Sequence, residues 1–158
     1  MERYDVIVVG VGAAGSAAVY ELASRGVRVL GIERSTVPNA TASHHGLTRV
    51  FRTCYYEHPD YVPLLQRALE LWRRLEEDAG QRLLDLCGGF ACGPDGSELI
   101  TGMERAAAEH GLAMEALTRR GAGQRFPQFV VPEGHRALVE PAAGFVRCEL
   151  AVGAFARL

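Results

Sequence analysis

Three glycines near the start of the chain have the spacing of a loop that holds phosphate groups. Gly10, Gly12 and Gly15 form G-x-G-x-x-G between a β-branched apolar run, residues 4–9, and a segment with helical spacing, residues 13–25. Gly10 permits the tight turn, Gly12 lets the backbone approach a pyrophosphate, and Gly15 lets the helix pack against its strand. The dipole and free N–H groups of that helix attract the anion. The pattern predicts dinucleotide binding, the alternative being glycines that only punctuate a strand–helix turn.

A carboxylate stands where such a fold recognises ribose. Glu33 follows Gly15 by about 18 residues, at the end of a second apolar run, residues 27–33, and the usual spacing is about 20. It can accept hydrogen bonds from both ribose hydroxyls and would repel a 2′-phosphate, so the sequence disfavours NADP. The motif serves both FAD and NAD and does not distinguish them.

The second concentration of reactive side chains is residues 40–61, ATASHHGLTRVFRTCYYEHPDY. A zinc site is disfavoured because His44 and His45 are adjacent and would face opposite ways on a strand. Two arginines are too few for a nucleic-acid surface on an acidic chain. Cys54 could be a nucleophile if its pKa were depressed, although a buried inert thiol is commoner. Composition alone leaves a polar loop as the leading interpretation.

The elements around these residues are read from apolar spacing and turn residues. Residues 4–33 form a strand–helix–strand unit, and its first strand is expected to be buried on both faces. Asp60 is expected to cap a helix that ends at Gly80. The remaining predictions are a bent strand or hairpin over residues 83–92, a turn over 93–96, a helix over 97–110, a short strand over 135–141 and the start of a helix at 148.

Composition excludes several classes of function. The chain has 158 residues, 48% of them hydrophobic, and a formal net charge of −2, which favours a small or neutral partner over nucleic acid or a membrane surface. No run of about 20 apolar residues is uninterrupted. Four cysteines lack C-x-x-C spacing and no leader segment is apparent, so we expect free thiols in a reducing cytoplasm, with no metal site.

Several motifs together resemble the monomeric sarcosine oxidase family, which includes N-methyltryptophan oxidase, among the D-amino-acid-oxidase-like flavoenzymes. The matching segments are YDVIVVGVGAAGSAA at residues 4–18, SHHGLTRVFR at 43–52, Tyr55, YVPL at 61–64, ELW at 70–72, GGFACGPDG at 88–96 and EPAAGFVRCELAV at 140–152. The resemblance covers essentially the whole chain. It implies an α/β fold with a Rossmann-like FAD-binding βαβ unit and the beginning of a mixed-sheet substrate domain.

The resemblance also implies roles for individual residues. His45 and Arg49 would lie beside the isoalloxazine ring as catalytic residues, and Arg52 would bind the substrate carboxylate. A fixed cation such as Arg49 would stabilise the negative charge on the reduced ring. A guanidinium matches a carboxylate bidentately and stays charged. The residues expected to bind FAD are Gly10, Gly12, Ala13, Ala14, Gly15, Glu33, Arg34, Ser43 and Thr48.

The sequence departs from the family pattern in three respects. Leu47 stands where an aspartate is frequent and Cys54 where a small residue is common, which puts substrate preference in doubt. Relatives continue well past residue 158, and the resemblance places the flavin-linking cysteine and the lysines for oxygen and carboxylate in that later part. We therefore expect this chain to be an N-terminal portion that is not a competent oxidase alone. Its predicted domains are FAD-binding (residues 1–82 and 141–158) and substrate-binding (residues 83–140).

The resemblance implies an FAD-dependent oxidation of a secondary amine such as sarcosine. Hydride transfer to the flavin would give an imine that water hydrolyses, and O2 would reoxidise the flavin with release of H2O2. The expected partners are a small amino acid and O2, without nucleic acid or membrane, and a monomer is favoured for the full-length protein. The alternatives are an FAD enzyme acting as a dehydrogenase or on a primary amine or cyclic imino acid, and a nucleotide-binding remnant without catalysis.

Overall fold

The computed structural model describes residues 2–158, which form five α-helices, eight strands and one short 3-10 helix. The helices are α1 (Ala13–Ala23), α2 (Val62–Ala79), α3 (Glu98–His110), α4 (Arg119–Arg125) and α5 (Cys148–Arg157), and the 3-10 helix is Pro59–Tyr61. The strands are β1 (Val6–Val9), β2 (Val29–Ile32), β3 (Arg49–Phe51), β4 (Leu84–Asp85), β5 (Gly89–Pro94), β6 (Glu115–Leu117), β7 (His135–Glu140) and β8 (Gly144–Val146). The predicted α/β class, with a parallel sheet and a separate antiparallel sheet, is confirmed.

One compact unit contains the residues up to Arg49 together with Leu71–Leu84 and Val146–Leu158. Its core is formed by side chains of α1, α2 and α5 and by the residue before β4. The buried members are Tyr20, Leu75, Leu83 and Ala154, with Trp72, Ala79 and Phe155 packed against them. Burial of these aliphatic and aromatic groups is the main stabilising contribution to this unit.

The parallel βαβ unit predicted for residues 4–33 is present in this first unit. β1 and β2 pair in parallel, with Val6 opposite Val29 and Val9 opposite Ile32. The prediction that β1 is buried on both faces is wrong for the described residues, because Ile7 and Val9 are 58% and 82% exposed. Side chains alternate along a strand, and α1 packs against the face of β1 that carries Val8.

The other compact unit contains Val50–Glu70 and Asp85–Phe145. Its sheet has the order β5-β7-β6, and both pairings are antiparallel. The core below it is built from the chain around the 3-10 helix, from α3 and from β7. The buried members are Cys54, Val62, Ile100, Met103, Ala106 and Leu138.

Two elements of this second unit match the sequence closely. The predicted helix over residues 97–110 is α3, and Gly111 follows it with φ +62°, the left-handed conformation that glycine adopts without steric cost. The predicted strand over 135–141 is β7. The predicted turn over 93–96 is shorter than expected, because Pro94 still belongs to β5.

The expected N-cap at Asp60 is wrong. The backbone N–H of Asp60 instead donates to Nδ1 of His58, 3.3 Å away, and Pro59 begins the 3-10 helix that precedes α2. Proline is favoured at a first helical position because its φ is already helical and it has no N–H to satisfy. The helical segment therefore begins one residue before the predicted cap.

A bent strand or hairpin is predicted over residues 83–92, and the hairpin alternative is wrong, because the two strands found there do not pair with each other. β4 and β5 belong to different sheets, β4 pairing in the order β3-β8-β4 and β5 with β7. Gly88, with φ +85°, separates the two strands. β6, α4 and β8 had no predicted counterpart, and each of them spans seven residues or fewer.

The geometric units divide the chain differently from the predicted domains. Residues 50–70 cluster with the second unit, whereas the prediction placed them in the FAD-binding domain. The assignment of these units to cofactor and substrate stays a prediction.

Candidate functional site

The glycine turn after β1 has the close packing that its sequence predicts. Gly10 has φ +90°, and its N–H donates to the carbonyl oxygen of Ile32 at 2.7 Å, which fixes the turn against β2. A Cβ added at Gly15 would overlap the carbonyl oxygen of Gly10 and lie 3.4 Å from the side chain of Val8. Only glycine therefore fits at position 15 while α1 packs this closely on β1.

The N-terminus of α1 is built for an anion. Gly12 occupies the N-cap position, and because it has no side chain it cannot cap the first-turn N–H groups, including those of Ala13 and Ala14. Such N–H groups, with the helix dipole, bind phosphate. A Cβ at Gly12 would lie 3.5 Å from Nδ1 of His44, so the histidine ring adjoins this turn.

Glu33 connects the glycine turn to the end of β2. Its Oε2 accepts from the N–H of Val11 at 2.9 Å, and its Oε1 accepts from the N–H of Arg34 at 2.8 Å. The hydrogen bond from Val11 is the main reason that the pKa of Glu33 is lowered from its ordinary value. Each carboxylate oxygen has two lone pairs, so the ionised side chain retains acceptor capacity for hydroxyl groups.

A cavity of about 380 Å³ opens at the carboxyl ends of β1 and β2. This is the edge at which open parallel sheets bind nucleotides, and the volume lies within the range of small-molecule sites, about 300–1,000 Å³. The lining residues are Val9, Gly10, Ile32, Glu33, Arg34, Asn39, Thr41 and Ala42. The glycine turn, the helix N-terminus, Glu33 and the cavity together fit a dinucleotide.

His44 is the least satisfied polar side chain near the glycine turn. It is 5% exposed, and neither ring nitrogen has a hydrogen-bond partner among residues 2–158. A buried polar group without a partner costs roughly 1–3 kcal/mol. Sequence reasoning considered His44 only as a metal ligand, and its burial beside Gly12 was not foreseen.

His45 is paired with a carboxylate that sequence reasoning missed. Its Nδ1 lies 2.8 Å from Oε1 of Glu149, and the same oxygen accepts from the N–H of Gly46 at 3.3 Å. A carboxylate at one ring nitrogen orients the imidazole and selects its tautomer. Glu149 is distant in sequence, in the first turn of α5, so local spacing carried no signal for it.

The other predicted residues of this loop are exposed. Arg49 donates from Nη2 to the carbonyl oxygen of Ser43 at 3.3 Å, and Ser43, Thr48 and Arg49 are all exposed. The first unit therefore contains the predicted cofactor residues and the predicted catalytic residues His45 and Arg49.

Arg52 lies in the second unit and is held by aromatic rings. Its guanidinium carbon is 4.1 Å from the ring centroid of Tyr55 and 5.0 Å from that of Tyr56. Its Nη2 lies 2.6 Å from Oε1 of Glu57. Cation–π contacts of this kind contribute about 0.5–1 kcal/mol at exposed sites and more when desolvated. The guanidinium is thus oriented and already paired with one carboxylate.

Cys54 is buried and protonated rather than poised as a nucleophile. Its side chain is fully buried and its Sγ donates to the carbonyl oxygen of Met103 at 3.0 Å. Burial, with the nearby Glu140 charge as the second cause, raises the pKa of Cys54 to about 11. Because the thiolate is the reactive form, the structure disfavours the nucleophile interpretation.

We expect thiol reagents to distinguish Cys54 from Cys87. At about pH 8, near the usual pKa of a free thiol of about 8.5, iodoacetamide should modify exposed Cys87 and spare buried Cys54. Peptide mass spectrometry gives the extent at each site, and denaturant supplies the control in which both react. Modification of Cys54 at the rate of Cys87 in the folded protein would contradict the burial argument.

Residues 2–158 contain neither a metal-binding cluster nor a membrane-spanning helix. No three His, Cys, Asp or Glu side chains are grouped so that they could hold a metal ion. No described helix combines the length and the hydropathy required to cross a membrane.

Comparison with known proteins identifies relatives across the chain. The family model described as FAD dependent oxidoreductase matches residues 5–158. The chain is 40% identical over 149 residues to N-methyl-L-tryptophan oxidase of Yersinia pestis (strain Pestoides F) and equally to that of Yersinia pseudotuberculosis serotype O:3 (strain YPIII). These matches cover 94% of this chain and 40% of each relative. The chain therefore spans about 40% of the length of these curated relatives.

Solved structures share the fold of this chain over nearly its whole length. NikD, described as an unusual amino acid oxidase essential for nikkomycin biosynthesis, matches with a TM-score of 0.84 and 29% identity, over 99% of this chain and 41% of that one. L-proline dehydrogenase from P. horikoshii matches with a TM-score of 0.80 over 99% of this chain and 41% of that one. At 22% identity, the second likeness shows the fold alone.

Proposed function

This chain belongs to the DAO family of FAD-dependent oxidoreductases, and from that premise we propose that it forms the cofactor-binding part, and one substrate-binding group, of an enzyme that oxidises N-methyl amino acids. The observation that carries the proposal is the 40% identity to N-methyl-L-tryptophan oxidase along 94% of the chain. That span includes the glycine turn, His45, Arg49 and Arg52.

The residues of the first unit fit the dinucleotide part of FAD. The N–H groups of Ala13 and Ala14 would hold the pyrophosphate, and Glu33 would accept from the ribose hydroxyls. Arg34, whose N–H is bonded to Glu33, would lie at the mouth of the same cavity. When bound, FAD would supply the hydride acceptor, and its reoxidation by O2 would yield H2O2.

Three residues of the loop after β2, and Arg49 at the start of β3, would adjoin the flavin ring. Ser43 and Thr48 would contact the cofactor, and Arg49 would provide fixed positive charge where negative charge develops. His45 would donate a hydrogen bond or move a proton, with its ring oriented by Glu149 at 2.8 Å.

Arg52 would bind the substrate carboxylate. Its guanidinium has five N–H donors in a planar fork, and one of its terminal nitrogens is 2.6 Å from Glu57. Tyr55 and Tyr56 hold the plane of the group through their rings. A substrate carboxylate would either share the guanidinium with Glu57 or displace it.

Replacing Glu57 with glutamine should strengthen carboxylate binding by up to about fivefold, because a partly exposed ion pair that competes for Arg52 contributes about 0.2–1 kcal/mol. The measurement is the dissociation constant of indole-3-acetate, read from the perturbation of the bound flavin spectrum. Glu104→Gln is the matched control, since it removes an ion pair of the same length, 2.6 Å, with Arg136. A fall in affinity in Glu57→Gln would show that Glu57 orients Arg52 instead of competing for it.

Product analysis tests the class of reaction. With an N-methyl amino acid as substrate of the full-length enzyme, we expect formaldehyde and H2O2 in equal amounts. Ammonia with H2O2 from a primary amino acid would indicate a different amine class. Substrate oxidation without H2O2 would indicate a dehydrogenase.

The proposed partners are a small amino acid and O2, and the proposed compartment is the cytoplasm. All four cysteines are free thiols in the described chain, which suits a reducing compartment. We also propose that none of them links to the flavin covalently. Cys54 supports this, since its thiol is buried and donates to a backbone carbonyl.

A further inference from the structure

A carboxylate in the interior of the second unit holds the chain immediately after Arg52. Glu140 is 2% exposed. Its Oε1 accepts three hydrogen bonds, from the N–H of Thr53 at 2.6 Å, the Oγ1 hydroxyl of Thr53 at 2.6 Å and the N–H of Cys54 at 3.0 Å. Glu140 is thus bonded to two consecutive peptide units.

These hydrogen bonds are strong and costly to lose. Hydrogen bonds to an ionised acceptor are about twice as strong as those between neutral groups. A buried carboxylate persists only where its lone pairs are satisfied in this way. Glu140 is itself rigidly placed, because it ends β7 and pairs with Gly89 of β5. The antiparallel sheet therefore fixes the backbone at Thr53 and Cys54.

The chain after Arg52 is held a second time at Tyr56, three residues after Thr53. A Cβ at Gly102 would overlap the carbonyl oxygen of Tyr56, so α3 packs directly on this backbone. Cys54 adds a contact from its Sγ to Met103 of the same helix. The rings of Tyr55 and Tyr56, over which the Arg52 guanidinium lies, thus belong to a segment held at both ends.

We infer that Glu140 is a positioning residue for the recognition of the substrate carboxylate by Arg52. It fixes the peptide units from which Arg52 and its aromatic supports project, so that the guanidinium fork meets a carboxylate in a preset orientation. Groups that bind ligands tolerate only about 0.5 Å of displacement, and this tolerance depends on supporting hydrogen bonds. The inference rests on the proposed substrate-binding role of Arg52.

Two substitutions test the inference in the FAD-loaded protein. Glu140→Gln keeps an acceptor oxygen but removes the charge, and Thr53→Val removes one of the three hydrogen bonds while keeping the backbone N–H. Each should weaken binding of indole-3-acetate by about tenfold, the scale of one charge-assisted hydrogen bond. Binding of the neutral indole-3-acetamide and the FAD content should stay unchanged. Thr53→Ser, which keeps the hydroxyl, should bind as the parent protein does.

Controls separate positioning from general destabilisation. Thr101→Val removes an exposed hydroxyl bond to the carbonyl oxygen of Ser97 and should change neither ligand. If Glu140→Gln and Thr53→Val weaken the carboxylate and the amide equally, or weaken neither, the positioning role is overturned. Glu140→Gln alone could unfold the second unit, and the milder Thr53→Val then decides between the two outcomes.

A double-mutant cycle distinguishes failure of this inference from failure of the proposed function. Arg52→Met should remove the preference for the carboxylate ligand, and adding Glu140→Gln to it should then cost nothing further for that ligand. If Arg52→Met leaves the preference intact, the proposed role of Arg52 fails, and with it the inference. If the preference is lost but the two substitutions are additive, only the inference about Glu140 is overturned.

Discussion

Replacing Gly15 with alanine should weaken FAD binding by about a hundredfold or more, which corresponds to a loss of about 2.8 kcal/mol of binding free energy. Alanine is favoured over glycine in a helix by about 1 kcal/mol, so propensity alone would make the change stabilising. The steric term dominates, because the new methyl group would overlap the Gly10 carbonyl oxygen. Either the turn or the start of α1 must then move, and the N–H groups of the first helical turn no longer point towards the pyrophosphate.

The measurement is a titration of the protein with FAD, followed by flavin fluorescence. Gly123→Ala is the matched control, because Gly123 lies in α4 with no heavy atom within 4 Å of an added Cβ. The control should bind FAD as the parent protein does. Unchanged affinity in Gly15→Ala would show that the glycine turn is not the cofactor site.

A second variant covers the case in which Gly15→Ala fails to fold. A Cβ at Gly12 would lie 3.5 Å from His44, which is an ordinary van der Waals contact. Gly12→Ala should therefore keep the fold, as judged by circular dichroism, while its methyl group stands where the pyrophosphate approaches. Weakened FAD binding in a folded Gly12→Ala variant would support the same site.

Arg52→Met should weaken the binding of a substrate carboxylate by about a hundredfold. A bidentate guanidinium pair contributes two charge-assisted hydrogen bonds of about 1.5–3 kcal/mol each, and packing of the methionine side chain recovers part of that binding free energy. Methionine keeps much of the apolar part of the arginine side chain against Tyr55 and Tyr56 but lacks the guanidinium group. Arg52→Lys should fall between the parent and Arg52→Met, since the ammonium keeps the charge without the planar geometry.

The comparison for Arg52→Met uses the ratio of affinities for indole-3-acetate and indole-3-acetamide. Arg67→Met is the matched control, because it removes an exposed guanidinium that pairs with Glu70 on the surface of α2. The ratio should collapse towards one in Arg52→Met and stay at the parent value in Arg67→Met. An unchanged ratio in Arg52→Met would rule out this arginine as the carboxylate-binding group.

Local spacing accounts for the parts of the fold that the sequence predicted well. The G-x-G-x-x-G turn, α1 and β2 are determined by residues within about 30 positions of one another, the length of one βαβ unit. Gly111 ends α3 through its own backbone conformation, as φ +62° shows. Glu33 follows β2 directly, so the position of that strand beside β1 also brings its carboxylate to the glycine turn.

The parts that were missed depend on contacts between residues distant in sequence. Glu140 and Thr53 are separated by 87 positions, and nothing near either residue indicates the pairing. Glu149 and Gly46 are separated by 103 positions. Short elements such as β6 and β8, three residues each, have too few side chains to show a period. Their conformation follows from the strands that they pair with.

The N-cap of the helical segment before α2 is His58, and not Asp60 as the sequence predicted. Aspartate is preferred over histidine at N-cap positions, and Asp60 stands directly before an apolar helical stripe, which is why the sequence favoured Asp60. Pro59 changes the outcome, because its fixed φ begins a helical turn one residue earlier. His58 then occupies the cap position, and its Nδ1 accepts from the N–H of Asp60.

The most direct test of the proposed function is anaerobic mixing of N-methyl amino acids with the FAD-loaded full-length enzyme of which this chain is proposed to form part. We expect N-methyltryptophan, sarcosine or another N-methyl amino acid to bleach the visible absorbance of the flavin, and admission of O2 to restore it with formation of H2O2. In the Arg52→Met variant, the flavin should be bleached only at a much higher substrate concentration. A protein that binds FAD and is not bleached by any N-methyl amino acid would contradict the proposed function.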